Sequence, residues 1–448
     1  MSHAVPLASP GTPLPRWALP EWFLLSQTLL PGLLLLPGTQ PFRLPIRVAA
    51  FAVSLGAFGW WLVRRHLEPG GIHPAGRWLL LVVAYLAVMV FHPTTNSLPA
   101  GAAQLALYLA VLAPVFWMPA RVRTAAHVMR LLTIVWAVSA LNAVVAVLQV
   151  YDPARWLPAE FSRVVTGGDL GLAAVSYIGP NGQTIVRPPG LFDTPGAASA
   201  PAAFAALLGF AFLVQRGPGW KRALGLASAI VGLTAVYLTQ VRTCVLVLAG
   251  MLLFYAVLLV VQRRGGRALL LLAAVLGTFS IAVGGARRLG GAAVIDRVAS
   301  LFAASPAEVY YQSGRGGQLE HGLRVLAVEY PFGAGLGRWG MMRRYFGDEG
   351  NLASPGIWAE VQYPAWILDG GLVLLAAYVA ALVATTARDL RLVGRATDPR
   401  LQTVAAMILA ANAGAVAMTF GLTPFTSQIG LQYWLLAGAL FGASRRAR

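Results

Sequence analysis

Thr243-Cys-Val-Leu-Val-Leu-Ala-Gly-Met-Leu-Leu-Phe-Tyr-Ala-Val-Leu-Leu-Val-Val-Gln262 carries no charge from end to end. It lies between Arg242 on one side and Arg263-Arg264 on the other. The hydrocarbon core of a bilayer takes about 20 apolar residues of helix per crossing, so this stretch has the length and composition of one span. Comparable runs recur in both directions, near residues 22–38, 48–63, 78–91, 100–119, 131–149, 196–215, 223–240, 268–285, 364–387, 401–420 and 429–444. The first is interrupted by Pro31 and Pro37. The expected fold class is therefore an all-α polytopic membrane protein with about twelve transmembrane helices. Hydrophobic residues make up 58% of the chain and charged residues 11%, a balance that a soluble domain cannot hide from water.

The gaps between runs divide the chain further. Residues 1–21 read as a Pro-rich cytoplasmic tail, since Met1–Glu21 has no charged n-region, apolar core or small-residue cleavage site of a signal peptide. N-terminal helices follow (22–149), then a first long loop (150–195), central helices (196–285), a large second loop (286–363), and C-terminal helices with their tail (364–448). Both loops are rich in Trp, Tyr, Leu and Gly, and they hold most of the acidic residues. Long loops between tightly connected helices are usually functional or disordered, and this composition argues against disorder. The second loop is expected to contain amphipathic helices and to be the catalytic one.

The net charge of +18 invites a nucleic-acid reading, but its distribution points to topology. All but one of the 34 basic residues are arginine, and most sit in short gaps on one side of the expected bundle. These are Arg64, Arg65 and Arg77; Arg121, Arg123 and Arg130; Arg216, Lys221 and Arg222; Arg263, Arg264 and Arg267; and Arg388, Arg391, Arg395 and Arg400, joined by Arg445, Arg446 and Arg448. The short gaps on the other side hold only Arg43, Arg47 and Arg242. The positive-inside rule then puts both termini in the cytoplasm and both long loops outside. Cys244, the one cysteine, excludes an internal disulfide and reads as a small packing residue.

Several motifs in or beside the loops could carry chemistry, each with a plainer reading. Arg187 stands in Val186-Arg-Pro-Pro-Gly-Leu-Phe192, just before a helix rich in Ala and Gly; an arginine snorkelling to headgroups would look the same. Arg242 lies between two apolar runs with almost no loop, where burial is costly unless an anion or cavity receives it. Gln312-Ser-Gly-Arg315-Gly-Gly317 precedes Leu319, Leu323, Leu326 and Tyr330, spaced for one face of a helix. Arg315 at such a start suits a phosphate; an amphipathic helix lying on the bilayer is the alternative. Gly335-Leu-Gly-Arg338-Trp-Gly340 matches GxGxxG, but no βαβ unit surrounds it, so it reads as a tight glycine-rich turn. His321 and His92 have no second His or Cys at ligand spacing, so no metal site is expected. Glu360, leading into the tenth span, could serve as a general base or be a solvated loop residue, with Asp369 and His321 as substitutes.

Taken in order, these motifs resemble the O-antigen ligase/polymerase superfamily of integral-membrane glycosyltransferases. The resemblance runs from Arg187-Pro-Pro-Gly-Leu-Phe through Arg242, Ser313-Gly-Arg315 and Pro331-Phe-Gly-Ala-Gly-Leu-Gly337 to Asp369-Gly-Gly371-Leu372. It covers about Arg187 to Leu382. It implies an inner-membrane enzyme, without a metal or other cofactor, working in the periplasm with inversion on an undecaprenyl-diphosphate-linked glycan. Arg242 and Arg315 would hold the diphosphate leaving group, with Arg187, Arg338 and His321 as further donor- or glycan-binding candidates. Ligases of the family carry a His about eleven residues before the glycine matching Gly371, and here that position is Glu360. The expected function is thus a polysaccharide polymerase, for O-antigen or exopolysaccharide, extending an acceptor glycan. Ligation to lipid A-core, as in lipopolysaccharide assembly, is the runner-up. Membrane lipids and polysaccharide-assembly proteins are the expected partners, and nucleic acid is not. A lipid-linked glycan transporter or flippase is the alternative of another class, disfavoured because the spans are nearly free of interior charge.

Overall fold

A computed structural model describes residues 17–64, 71–157, 175–178, 184–299 and 315–445. Each apolar run overlaps a helix, the first only as far as Gly32, after which Leu33–Leu35 form a 3-10 turn. In chain order these are Leu19–Gly32, Arg43–Arg64, Gly76–Met89, Leu98–Leu112 continued by Pro114–Arg121, Ala125–Tyr151, Ser199–Val214, Gly219–Thr239, Arg242–Val261, Gly265–Gly290, Gln362–Arg395, Pro399–Ala417 and Gln428–Arg445. Among the described residues, eight helical stretches are long and apolar enough to cross a membrane. The chain is a multi-pass α-helical membrane protein. Gly76–Met89 and Ser199–Val214 are apolar but shorter, at 14 and 16 residues.

The Ser199–Val214 helix is the centre of the larger core. Most of its residues are buried, including Ala203, Leu207, Leu208 and Phe210. Without a hydrophobic drive between helices in lipid, close association needs small residues at the contact. The Gly219–Thr239 helix supplies them: a Cβ at Gly225 would lie 2.7 Å from the Gly209 carbonyl, and one at Gly232 2.7 Å from that of Ala202. A second core is aromatic, with the rings of Trp366, Tyr378, Phe425 and Trp434 packed on one another at centroid distances of 4.5–6.4 Å.

Two features depart from a bundle of plain apolar rods. Buried carboxylates lie on the helices: Glu21, Asp369 and Asp389 are all fully enclosed. Each has partners, as the cost of an ionisable group in this setting requires. Glu21 meets Arg130 Nη1 and His127 Nε2, both at 2.9 Å. Asp389 accepts from Arg388 Nη1 at 2.8 Å. The second departure is a break in the longest helix. Gln362–Arg395 loses helical geometry at Gly370 (φ −161°, ψ 19°) and Gly371 (φ 63°, ψ −157°). A side chain at Gly371 would be left-handed and 2.1 Å from the Pro331 carbonyl. The backbone groups freed there are taken up by the second loop: Leu372 N–H donates to Pro331 O (2.8 Å), and Ala334 N–H donates to Leu368 O (2.6 Å). A broken helix is tolerated in a membrane protein when its orphaned groups are satisfied in this way.

The long loops are structured where described. Ser176–Ile178 pairs antiparallel with Thr184–Val186, a small exception to the all-α expectation. The second loop holds Ala292–Ala299, a helix from Arg315 to Glu329 with a π-turn at Gly322–Leu326, and Gly340–Phe346. The π-turn seats Gly322 against Pro364 at the start of the broken helix. Asp193 of the first loop joins Arg43 (Nε at 2.8 Å) and Arg47, which also donates to Tyr345 Oη of the second loop at 3.3 Å. Both loops and the start of the Arg43–Arg64 helix therefore share one end of the bundle. Glu160, Asp169, Glu308 and Gln312-Ser313-Gly314 lie outside the described residues.

Candidate active site

The Gly219–Thr239 helix stops at Gln240, which takes the left-handed conformation (φ 57°) and donates its N–H to Tyr237 O at 3.1 Å. Val241 turns the chain, and the next helix begins at Arg242. No side chain caps that helix, so its first N–H groups leave a partial positive charge at the end where half-buried Arg242 stands.

Arg187 is delivered to the same junction by a clamped turn. Gln149 brackets Gly190, accepting its N–H and donating to its carbonyl, both at 2.8 Å. Asn142, two turns earlier on the same helix, accepts the N–H of Leu191 at 2.7 Å. The turn then passes Gly196. A Cβ at Gly196 would lie 3.1 Å from Val241 Cγ2, 3.2 Å from Arg187 Nη2 and 3.6 Å from Thr239 O. The Arg187 guanidinium thus rests against the turn that presents Arg242.

Arg315 arrives from the second loop. The helix it begins packs against Met418–Phe420, and a Cβ at the adjoining Gly421 would lie 2.9 Å from Thr243, the residue after Arg242. Arg315 Nε lies 3.5 Å from Glu360 Oε2. Gln318, one turn along, accepts the Glu360 backbone N–H at 3.2 Å. The fold therefore brings Arg187 to the turn that precedes Arg242, sets Arg315 beside Glu360, and carries the helix that begins with Arg315 to the same end of the Arg242 helix. A scan of protein-family models found no match to this chain, and a search of curated proteins found none.

Three other candidates fall elsewhere. Arg338 is buried inside the second loop, donating to the carbonyls of Pro355 and Ala334 at 3.3 Å with its guanidinium over the Tyr330 ring. It braces the loop instead of facing a glycan or diphosphate, because it is buried and donates to two backbone carbonyls. His321 is exposed at the end of the Arg315 helix turn. Asp369, a substitute base in the sequence reading, is fully buried and accepts from Tyr108 Oη (2.7 Å), Trp339 Nε1 (2.9 Å) and Gln104 Nε2 (3.2 Å). A carboxylate so enclosed holds the loop to the helices and has no path to a substrate hydroxyl. The glycine-rich turn is a packing device, as expected: a Cβ at Gly335 would lie 2.6 Å from Thr95 N. Sequence reasoning passed over Gln149, Asn142 and Gln318. Amides in or beside apolar runs signal such clamps only once their partners are known.

Proposed function

We propose that this chain is an integral-membrane glycosyltransferase of the O-antigen ligase/polymerase kind, acting as a polysaccharide polymerase. It transfers glycan from undecaprenyl diphosphate to an acceptor glycan at the periplasmic face of a bacterial inner membrane. In this reading about twelve spans place both termini in the cytoplasm and both long loops outside. The observation that supports it is the approach of Arg187 to the turn before Arg242, together with the pairing of Arg315 and Glu360 at 3.5 Å at the same end of the bundle. An acceptor hydroxyl attacks the anomeric carbon as the bond from that carbon to the diphosphate oxygen breaks. Its proton passes to Glu360, and the electron pair leaves on the diphosphate. Fixed guanidiniums stabilise that growing charge more than the ground state, which is what lowers a barrier.

The test is substitution with a folding control. Arg242→Ala and Arg315→Ala each abolish polymer in cells while the protein remains inserted and monodisperse in detergent. Lys at either position rescues poorly, because an ammonium lacks the planar fork that meets two phosphate oxygens. Near-normal polymer from either Ala variant removes that arginine from the site. If purified protein instead moves a finished glycan onto lipid A-core and never extends a chain, the enzyme is a ligase.

A further inference from the structure

Residues Ile357 to Val361 run into the broken helix as an irregular segment, and their exposure alternates. Ile357 and Ala359 pack towards the cluster of Trp339, Ala365 and Leu368, and Val361 is fully buried. Trp358 and Glu360 are the exposed pair, with Trp358 74% exposed. The segment is held at both ends: Ile357 N–H donates to Arg338 O at 2.8 Å, and Glu360 N–H to Gln318 at 3.2 Å. The alternation of exposure places side chains two apart on the same side of this segment. An indole that stands largely in the open thus shares a face with the carboxylate paired to Arg315.

We propose that Trp358 is the platform for a pyranose ring of the acceptor glycan, stacked so that its hydroxyl reaches Glu360. This rests on the glycosyl-transfer reading. The chemistry follows from the two side chains: a pyranose has an apolar face of axial C–H groups and an equatorial rim of hydroxyls. An indole offers a large flat apolar surface at low conformational cost, and a carboxylate beside it accepts from the rim. A tryptophan this exposed could also anchor in lipid at the membrane interface. The part-exposed ion pair of Glu360 with Arg315 favours water there, since a guanidinium and a carboxylate keep their charge at least cost when solvated.

The test uses the full-length protein in a strain lacking its gene, together with membranes from that strain given its own lipid-linked donor. Trp358→Ala, Trp358→Phe and Trp358→Leu are compared at matched membrane levels. The expected result is a roughly tenfold rise in KM for acceptor with Ala and with Leu, and near-normal transfer with Phe. The KM for donor stays unchanged, because the diphosphate contacts are elsewhere. Leu performing as well as Phe overturns the platform in favour of a lipid anchor, which reads apolarity and not ring shape. Ala indistinguishable from wild type overturns it outright, while loss of transfer in Arg315→Ala under the same conditions leaves the glycosyl-transfer reading standing. Normal polymer in the uncomplemented strain removes both.

Discussion

Arg315 and Glu360 form an open ion pair, and its weakness matters for the proposed reaction. Their side chains are 35% and 44% exposed, and ion pairs this open contribute about 0–1 kcal/mol. In the proposed reaction a diphosphate would offer charge-assisted hydrogen bonds of about 1.5–3 kcal/mol each, enough to displace the carboxylate and free it for an acceptor. Glu360→Gln is accordingly expected to bind undecaprenyl diphosphate tighter than wild type by about 2–5-fold, while turnover falls by about 10²–10⁴-fold. Glu320→Gln is the control, since that carboxylate pairs with Arg324 at 2.9 Å on the exposed helix and should change neither. Unchanged or weaker diphosphate binding in Glu360→Gln, measured by calorimetry, would show that the pair does not compete with the donor. The residue types at this site were readable in the chain one at a time. Their pairing was not, because nothing in local pattern links Arg315 to a carboxylate so far along.

At the scale of elements, the apolar runs forecast where helices lie but not how they end or break. The expected span at 268–285 is the middle of Gly265–Gly290, and that at 364–387 belongs to a helix reaching Arg395, because a helix continues past the apolar limit as readily as within it. Gly370-Gly371 sits inside an apolar run, so hydropathy passes over the break. Only the docking of Pro331 and Ala334 explains why glycine is needed. Gly371→Ala must take φ 63° with a side chain and push back the Pro331 carbonyl. The expected loss is about 1–3 kcal/mol, read as a lower thermal midpoint in detergent and faster proteolysis of the second loop. Gly277→Ala, in a helix where a Cβ meets nothing within 4 Å, should leave both unchanged. Equal midpoints for the two variants would mean the loop is not pinned at the break.

The whole molecule places its acidic, looped end opposite its arginine-rich end, and that polarity is directly measurable. The described structure has one cysteine, buried Cys244, so the background of an impermeant thiol reagent is low. A cysteine at Gly316 should label in intact spheroplasts, whereas one at Gly394, in open space at the other end of its helix, should label only after lysis. The reverse pattern would invert the orientation and move the site to the cytoplasm. The pinned break has one more consequence, for changes in chain length. Glu360 is separated from Gly371 by a short extended lead and the helix from Gln362. Each residue of helix advances the chain by about 100° and 1.5 Å. With Gly371 fixed to Pro331 and Glu360 bound to Gln318, a single inserted or deleted residue between them would swing the carboxylate round the helix axis and away from Arg315. The interval behaves as a gauge block: its count of residues sets where the carboxylate stands.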